Sequence, residues 1–227
     1  RRLRPRRKAD MSPNAPRWIS WSLAGLAVAM SVAGLVVSIL AVVATRDPLG
    51  LYTHELTLPL IVIIFSALGP MVVAKHPRHP IGWIMTGMAA LSGVVVLAVG
   101  SRAYGEQVLG PARAAWLPLV QWLDMWVWIP SNVIPITLLF LLFPDGHLPS
   151  RRWRPVAWAA TAGTLGAMLG TALNPLRRLD DENPLEPNPF GIPGAGTAMD
   201  MLLNVASVVL LFAIVGSIAG LVVRFRR

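Results

Sequence analysis

The sequence predicts an all-α integral membrane protein with six transmembrane helices and both termini in the cytoplasm. Three observations carry that expectation: an apolar composition, uncharged runs that recur along the chain, and basic residues gathered on one side of those runs. Of 227 residues, 55% are apolar and 14% charged, whereas an ordinary soluble domain carries about 25% charged residues. Mean hydropathy is +0.59. A helix rises about 1.5 Å per residue, so a hydrocarbon core of about 30 Å takes about 20 apolar residues. Six stretches reach or approach that length: Trp18–Thr45, Leu56–Ala74, Ile81–Ser101, Leu117–Phe143, Pro155–Leu173 and Met201–Val223. Five of them hold no charge, and the fourth holds only Asp124. A soluble globular enzyme is excluded.

Residues 1–17 form a basic cytoplasmic tail that opens on Arg1, and Met11 offers a start within it. The first apolar stretch is far longer than the roughly 7–15 residues of a signal-peptide core and lacks a small-residue cleavage site, so it is read as a membrane span. Pro80 precedes the third span, where its fixed φ and missing N–H suit the first helical position. In the fourth span Pro130 and Pro135 are expected to kink the helix and free backbone carbonyls near Ser131 and Asn132. Gly166 and Gly170 in the fifth span, and Gly216 and Gly220 in the sixth, form G-x-x-x-G faces, and Ala159, Gly163 and Ala167 add a second small stripe. These faces let helices approach closely and are expected to pack within the chain. Residues 174–198 form an extracellular loop, and residues 224–227 begin a cytoplasmic linker.

Orientation follows from the loops. With the N-terminus inside, 15 basic residues fall on the cytoplasmic side and 5 on the other, as the positive-inside rule requires. Most acidic residues fall outside, among them Asp47, Glu55, Glu106, Asp180, Asp181 and Glu182. Trp116, Trp122, Trp126 and Trp128 crowd the outer start of the fourth span, while Trp18, Trp21, Trp83, Trp153 and Trp158 lie near inner ends. That is the distribution of an aromatic belt at both faces of a plasma membrane. The net charge of +9 is accounted for by these loops, so the bilayer is the expected partner and nucleic acid is not.

The chemistry-bearing residue types are sparse. Without cysteine there is no disulfide framework or thiol nucleophile. His76 and His79 share a Pro-flanked loop with no third metal ligand nearby. Pro144-Asp145-Gly146 is turn chemistry: Pro presets φ, Asp bonds local backbone and Gly accepts φ > 0. No phosphate loop, H-E-x-x-H, G-x-S-x-G or paired intramembrane charge is evident. No catalytic, cofactor-binding or metal-binding residue is therefore expected. A carboxylate in a span is the exception that invites function, and Asp124 lies in a polar, Trp-rich, Pro-interrupted helix. Trp122, Asp124, Trp126 and Asn132 are the candidate signal-sensing residues.

The loops also carry a pattern. His76-Pro-Arg-His-Pro-Ile-Gly-Trp83, the run Leu141–Val156 around Phe143-Pro144-Asp145-Gly146-His147, Asn188-Pro-Phe-Gly-Ile-Pro-Gly194, and a last span ending at Val222–Arg227 together resemble the N-terminal membrane region of actinobacterial-type sensor histidine kinases of two-component systems. The resemblance covers roughly Leu58 to Arg227. It implies a sensing and anchoring module that passes a signal through the last helix to cytoplasmic kinase domains beyond Arg227. It also implies a homodimer in the full-length protein and a cognate response regulator as partner. His54, His76, His79 and His147 all fall between the expected spans and none resembles a phosphoacceptor box, so no catalytic residue carries over. The alternatives are a stand-alone membrane accessory or scaffold protein and a small transporter subunit.

Overall fold

Each of the six apolar stretches folds as a helix in the computed structural model, which describes residues 14–46, 53–177 and 186–226 and leaves out the side chains of residues 53–56, 177 and 186. The tail before residue 14 with Met11, the acidic residues Asp47 and Asp180–Glu182, and Arg227 lie outside the described residues. The helices are α1 (Ala15–Thr45), α2 (Thr53–Lys75), α3 (Pro80–Tyr104), α4 (Leu117–Ile134), α5 (Arg154–Ala172) and α6 (Gly196–Phe225). Helix α3 runs on through a π turn, Gly105–Leu109. At Pro135 helix α4 changes into a second π turn, Pro135–Leu139, before Phe140–Leu142 resumes α geometry.

The structure thus refines the expected effect of the two prolines. Pro130 lies inside α4 without ending it, while at Pro135 the helix widens. A proline ring forfeits one ladder bond and crowds the preceding turn, and a π turn is a common way to absorb that. Side chains cover some of the loosened backbone: Thr137 Oγ1 donates to the Val133 carbonyl at 2.6 Å and Ser131 Oγ to that of Trp128 at 2.9 Å.

Five of the six helices are long and apolar enough to cross a membrane. The exception is α5, in which twelve of nineteen residues are Ala, Gly or Thr, so its apolarity falls short even though the expected helix is there. Large apolar side chains point outward, including Leu26, Ile63, Ile64, Leu211 and Phe212, while the buried positions are dominated by small residues and short aliphatics. That inversion of a soluble core, together with the five helices, marks a multi-pass membrane protein.

Helix directions alternate. Gly34 meets the Val96 carbonyl and Gly93 the Ala27 backbone, so α1 and α3 run parallel. Gly69 against Thr86 and Gly82 against Val73 set α2 antiparallel to α3. Asp124 pairs with Arg102 while Val127, further along α4, clusters with Val95 and Val99, which sets α4 antiparallel to α3, and Gly163 and Gly170 against Leu210 and Met199 do the same for α5 and α6. The starts of α1, α3 and α5 and the finishes of α2, α4 and α6 therefore share one end of the bundle, here the termini end. The opposite end is the far end.

Small residues build both seams. Along α1 the buried residues are Ser20, Ala24, Ala27, Ser31, Gly34, Ser38 and Ala41, a strict alternation of four- and three-residue steps. That spacing keeps one narrow stripe facing a partner helix. On the α5–α6 seam the two G-x-x-x-G faces are filled within the chain: Gly166 lies on Ala206, Gly170 on Leu203, Gly216 on Val156, and Gly220 on Leu141 and Trp153.

Candidate functional site

Two polar constellations stand at opposite ends of α6, and both involve segments singled out in the sequence. At the far end Trp122 and Trp126 lie one turn apart on α4 and meet edge to face, with ring centroids 5.4 Å apart. The Trp122 indole N–H donates to the Ala172 carbonyl at 2.8 Å. Ala172 is the last residue of α5, where carbonyls lack intrahelical partners, so Trp122 closes the end of a neighbouring helix. Phe190 meets the same Trp122 ring, centroids 4.9 Å apart and the planes tilted by 39°.

Phe190 is held there by Asn188, which is 6% exposed. Its amide donates to the carbonyls of Ala172 at 3.0 Å and Asn174 at 2.7 Å. Its side-chain oxygen accepts from the Phe190 N–H at 3.1 Å, the local bond that turns an Asn-Pro-Phe sequence back on itself. A short antiparallel pair, Leu176 opposite Pro187 and Arg177 opposite Glu186, closes the base of this loop. Asn174 then reaches Asp200 at 2.7 Å and ties the loop to the first turns of α6. The described residues 174–177 and 186–195 are thus folded onto the helix ends around an aromatic face.

Asp124 points elsewhere on α4. Its carboxylate pairs with Arg102 Nε at 3.2 Å. By its sequence the third span is expected to end at Ser101, with no paired intramembrane charge. Instead α3 continues to Tyr104, which carries Arg102 up to the α4 face. Beside the pair, Gln121 donates to Glu106 Oε1 at 2.8 Å, so the α3–α4 boundary at the far end is polar. Asn132 belongs to neither group: it is exposed, and its amide bonds the Trp128 carbonyl and Ser131 Oγ on its own helix. The four sensing candidates therefore separate, with Trp122 and Trp126 together, Asp124 on the α3 side and Asn132 apart. Sequence reasoning missed Asn188, Phe190 and Asn174 as members of the aromatic face, although the Asn-Pro-Phe turn chemistry was visible.

At the termini end Arg224 of α6 reaches back to α4. Its guanidinium donates to the carbonyls of Leu142 at 3.4 Å, Phe143, and His147 at 2.6 Å. These carbonyls end the fourth span or follow it, where few intrahelical partners remain. Between them the Pro144-Asp145-Gly146 turn has the expected form. Gly146 adopts φ +73° and its N–H returns to the Leu142 carbonyl at 2.8 Å. A Cβ there would stand 2.8 Å from the Pro80 ring and 3.0 Å from that of His79, so only glycine suits both the left-handed φ and the contact. Trp83 N–H donates to the Pro77 carbonyl at 2.8 Å. Three motifs far apart in sequence, His76–Trp83, Leu141–Val156 and Val222–Arg226, thereby meet at one end.

Comparison with known proteins finds no match to this chain, neither a family model, nor a curated protein, nor a solved structure. The site is therefore argued from its own geometry. Replacing Trp122 with Phe keeps the ring contact with Phe190 and removes the N–H. The expected loss is about 1 kcal/mol, the net worth of one hydrogen bond, read as a lowered midpoint in detergent-solubilised thermal unfolding. An unchanged midpoint would mean that Asn188 alone closes the end of α5.

Proposed function

We propose that the chain is the membrane-embedded sensing and anchoring module of a two-component sensor histidine kinase, crossing the plasma membrane six times with both termini cytoplasmic. On this reading its partners are a second copy of the protein, cytoplasmic kinase domains beyond Arg227, and their cognate response regulator.

The observation that carries the reading is the pair of ties on α6. At one end Asp200 is bound to the aromatic-faced outer loop through Asn174. At the other Arg224 is bound to the end of α4. A 30-residue helix is about 45 Å long and stiff, so movement of the outer loop is delivered to Arg224. Rotation or sliding of a packed helix is a standard switching motion, and α6 runs without proline from Gly196 to Phe225. The sidedness of basic residues supports an inside location for the Arg224 end. The α5 helix, although less apolar than the others, is packed between α4 and α6 and counts as the fifth crossing, since a helix shielded by neighbours needs less lipid-facing apolarity.

The test has two parts. Following the reading frame past Arg227 should reveal a phosphoacceptor His segment and an ATP-binding domain, and a stop codon soon after Arg227 would overturn the kinase assignment in favour of an accessory membrane protein. In the continuing protein, replacing Val223 and Arg224 with glycine should uncouple output from signal while leaving membrane insertion intact. Unchanged signalling would count against transmission through α6.

A further inference from the structure

The termini end holds an open recess of about 500 Å³ lined by Ser150, Arg152, Trp153 and Val156. Its lining combines two kinds of group. Ser150 and Arg152 offer a hydroxyl and a guanidinium, while Trp153 and Val156 offer aromatic and aliphatic surface. Among the described residues the ion pair present is Arg102–Asp124 at the other end of the bundle, and Arg152 has no carboxylate at ion-pair distance. Arg151 and Arg154 flank it and are exposed, so three guanidiniums within four positions give the rim a strong positive field.

We propose that this recess binds the headgroup of an anionic phospholipid. The phosphate lies between Arg152 and Ser150, and the first methylenes of the acyl chains lie along Trp153 and Val156. Along the chain Ser150 and Arg152 precede α5 while Val156 lies in its first turn, so polar groups come before the membrane-spanning part as a headgroup comes before its acyl chains. A basic pocket between helix ends at the membrane surface is the setting in which proteins take anionic headgroups, and a planar guanidinium suits a phosphate bidentately. The same end has a second recess of similar make-up, about 410 Å³ and lined by Asn14, Arg17, Trp18 and Trp21. A free phosphate would satisfy Arg152 and Ser150 but would leave the apolar half unused, which favours the lipid as occupant.

The site also touches the proposed output. The Trp153 ring that walls the recess rests on Gly220 of α6, where a Cβ would stand 3.2 Å from it. Gly220 is one turn before Arg224. Occupancy of the recess therefore bears on the same segment that carries the Arg224 tie, and the inference rests on the membrane placement argued above.

The full chain, reconstituted in bilayers of phosphatidylcholine with a minor share of phosphatidylglycerol, tests it by native mass spectrometry of the lipid retained. Phosphatidylglycerol should be retained in preference. Arg152→Gln should weaken that preference about tenfold, the cost of one charge-assisted hydrogen bond, with Arg152→Lys between the two. Arg113→Gln, which removes an equal charge from an exposed far-end position, should leave it unchanged. Equal loss in the Arg113 and Arg152 variants would overturn the site in favour of diffuse charge, as would displacement of the lipid by inorganic phosphate at millimolar concentration. Flotation with phosphatidylcholine vesicles separates the two readings. A chain that does not float removes the membrane placement and this site together, whereas a chain that floats without headgroup preference removes this site alone.

Discussion

Leucine at position 34 is expected to abolish the packed form of the α1–α3 seam, leaving no monodisperse protein in mild detergent. Gly34 is pressed against the Val96 carbonyl, and Gly100 in turn against the Gly34 carbonyl, both backbone atoms that cannot swing aside. Overpacking an ordinary core costs about 1–3 kcal/mol because neighbouring side chains shift. Here the two helices must part. Between membrane helices there is no hydrophobic drive to draw them back, because lipid tails are as apolar as the helix surface. Close approach of backbones is what holds the seam, so separation removes its dispersion contacts along the whole stripe from Ser20 to Ala41. Gly25 provides the control, since nothing lies within 4 Å of a Cβ there. Gly25→Leu should elute and unfold as the parent does. Size-exclusion profiles of the two variants decide the matter, and a monodisperse Gly34→Leu protein would show that the helices are not in backbone contact.

That seam explains which parts of the fold were legible beforehand. The six helices were readable because apolar length is a property of each segment alone. Their observed bounds depart from the expected ones by a few residues, as at α6, which begins at Gly196 rather than Met201. The G-x-x-x-G faces of α5 and α6 were legible because glycine pairs stand out in a short window. The α1 stripe was not, because Ser, Ala and Gly alternate in it and the Leu, Val and Ile between them dominate any apolar reading. What the stripe means depends on having α3 opposite it.

The site was legible to a similar degree. Turn chemistry announced Gly146, and the Trp cluster announced α4. The tie from Arg224 to Leu142 joins residues 82 positions apart, and that from Trp122 to Ala172 joins residues 50 apart. No local pattern encodes either. Asn132 shows the limit of a local reading: a polar residue after a proline reads as part of a pocket, and what the structure adds is that its amide bonds its own helix.

Among the described residues Arg102 and Asp124 form the ion pair between the first three helices and the last three, and breaking it from one side is expected to cost about 3 kcal/mol. That is the low end of the range for buried pairs, because the side chains keep 27% and 17% of their exposure. Asp124→Ala leaves the Arg102 guanidinium facing a helix that offers no countercharge in its place. Arg102→Gln takes this cation away from the Asp124 carboxylate. Coulomb attraction and desolvation oppose each other in such a pair, so removing both partners should cost clearly less than the two single losses added together. Unfolding free energies in detergent, measured for the two single variants and the double variant, give the coupling directly. The location of the loss is also predictable. The pair sits on the α3 face of α4 while Trp122 sits on the α5 face, so Asp124→Ala should raise hydrogen exchange along the α3–α4 boundary and leave the Phe190 loop protected. Exchange that rises equally in both regions would mean that the two faces of α4 move as one, and single variants as stable as the parent would reduce the pair to a solvated contact worth little.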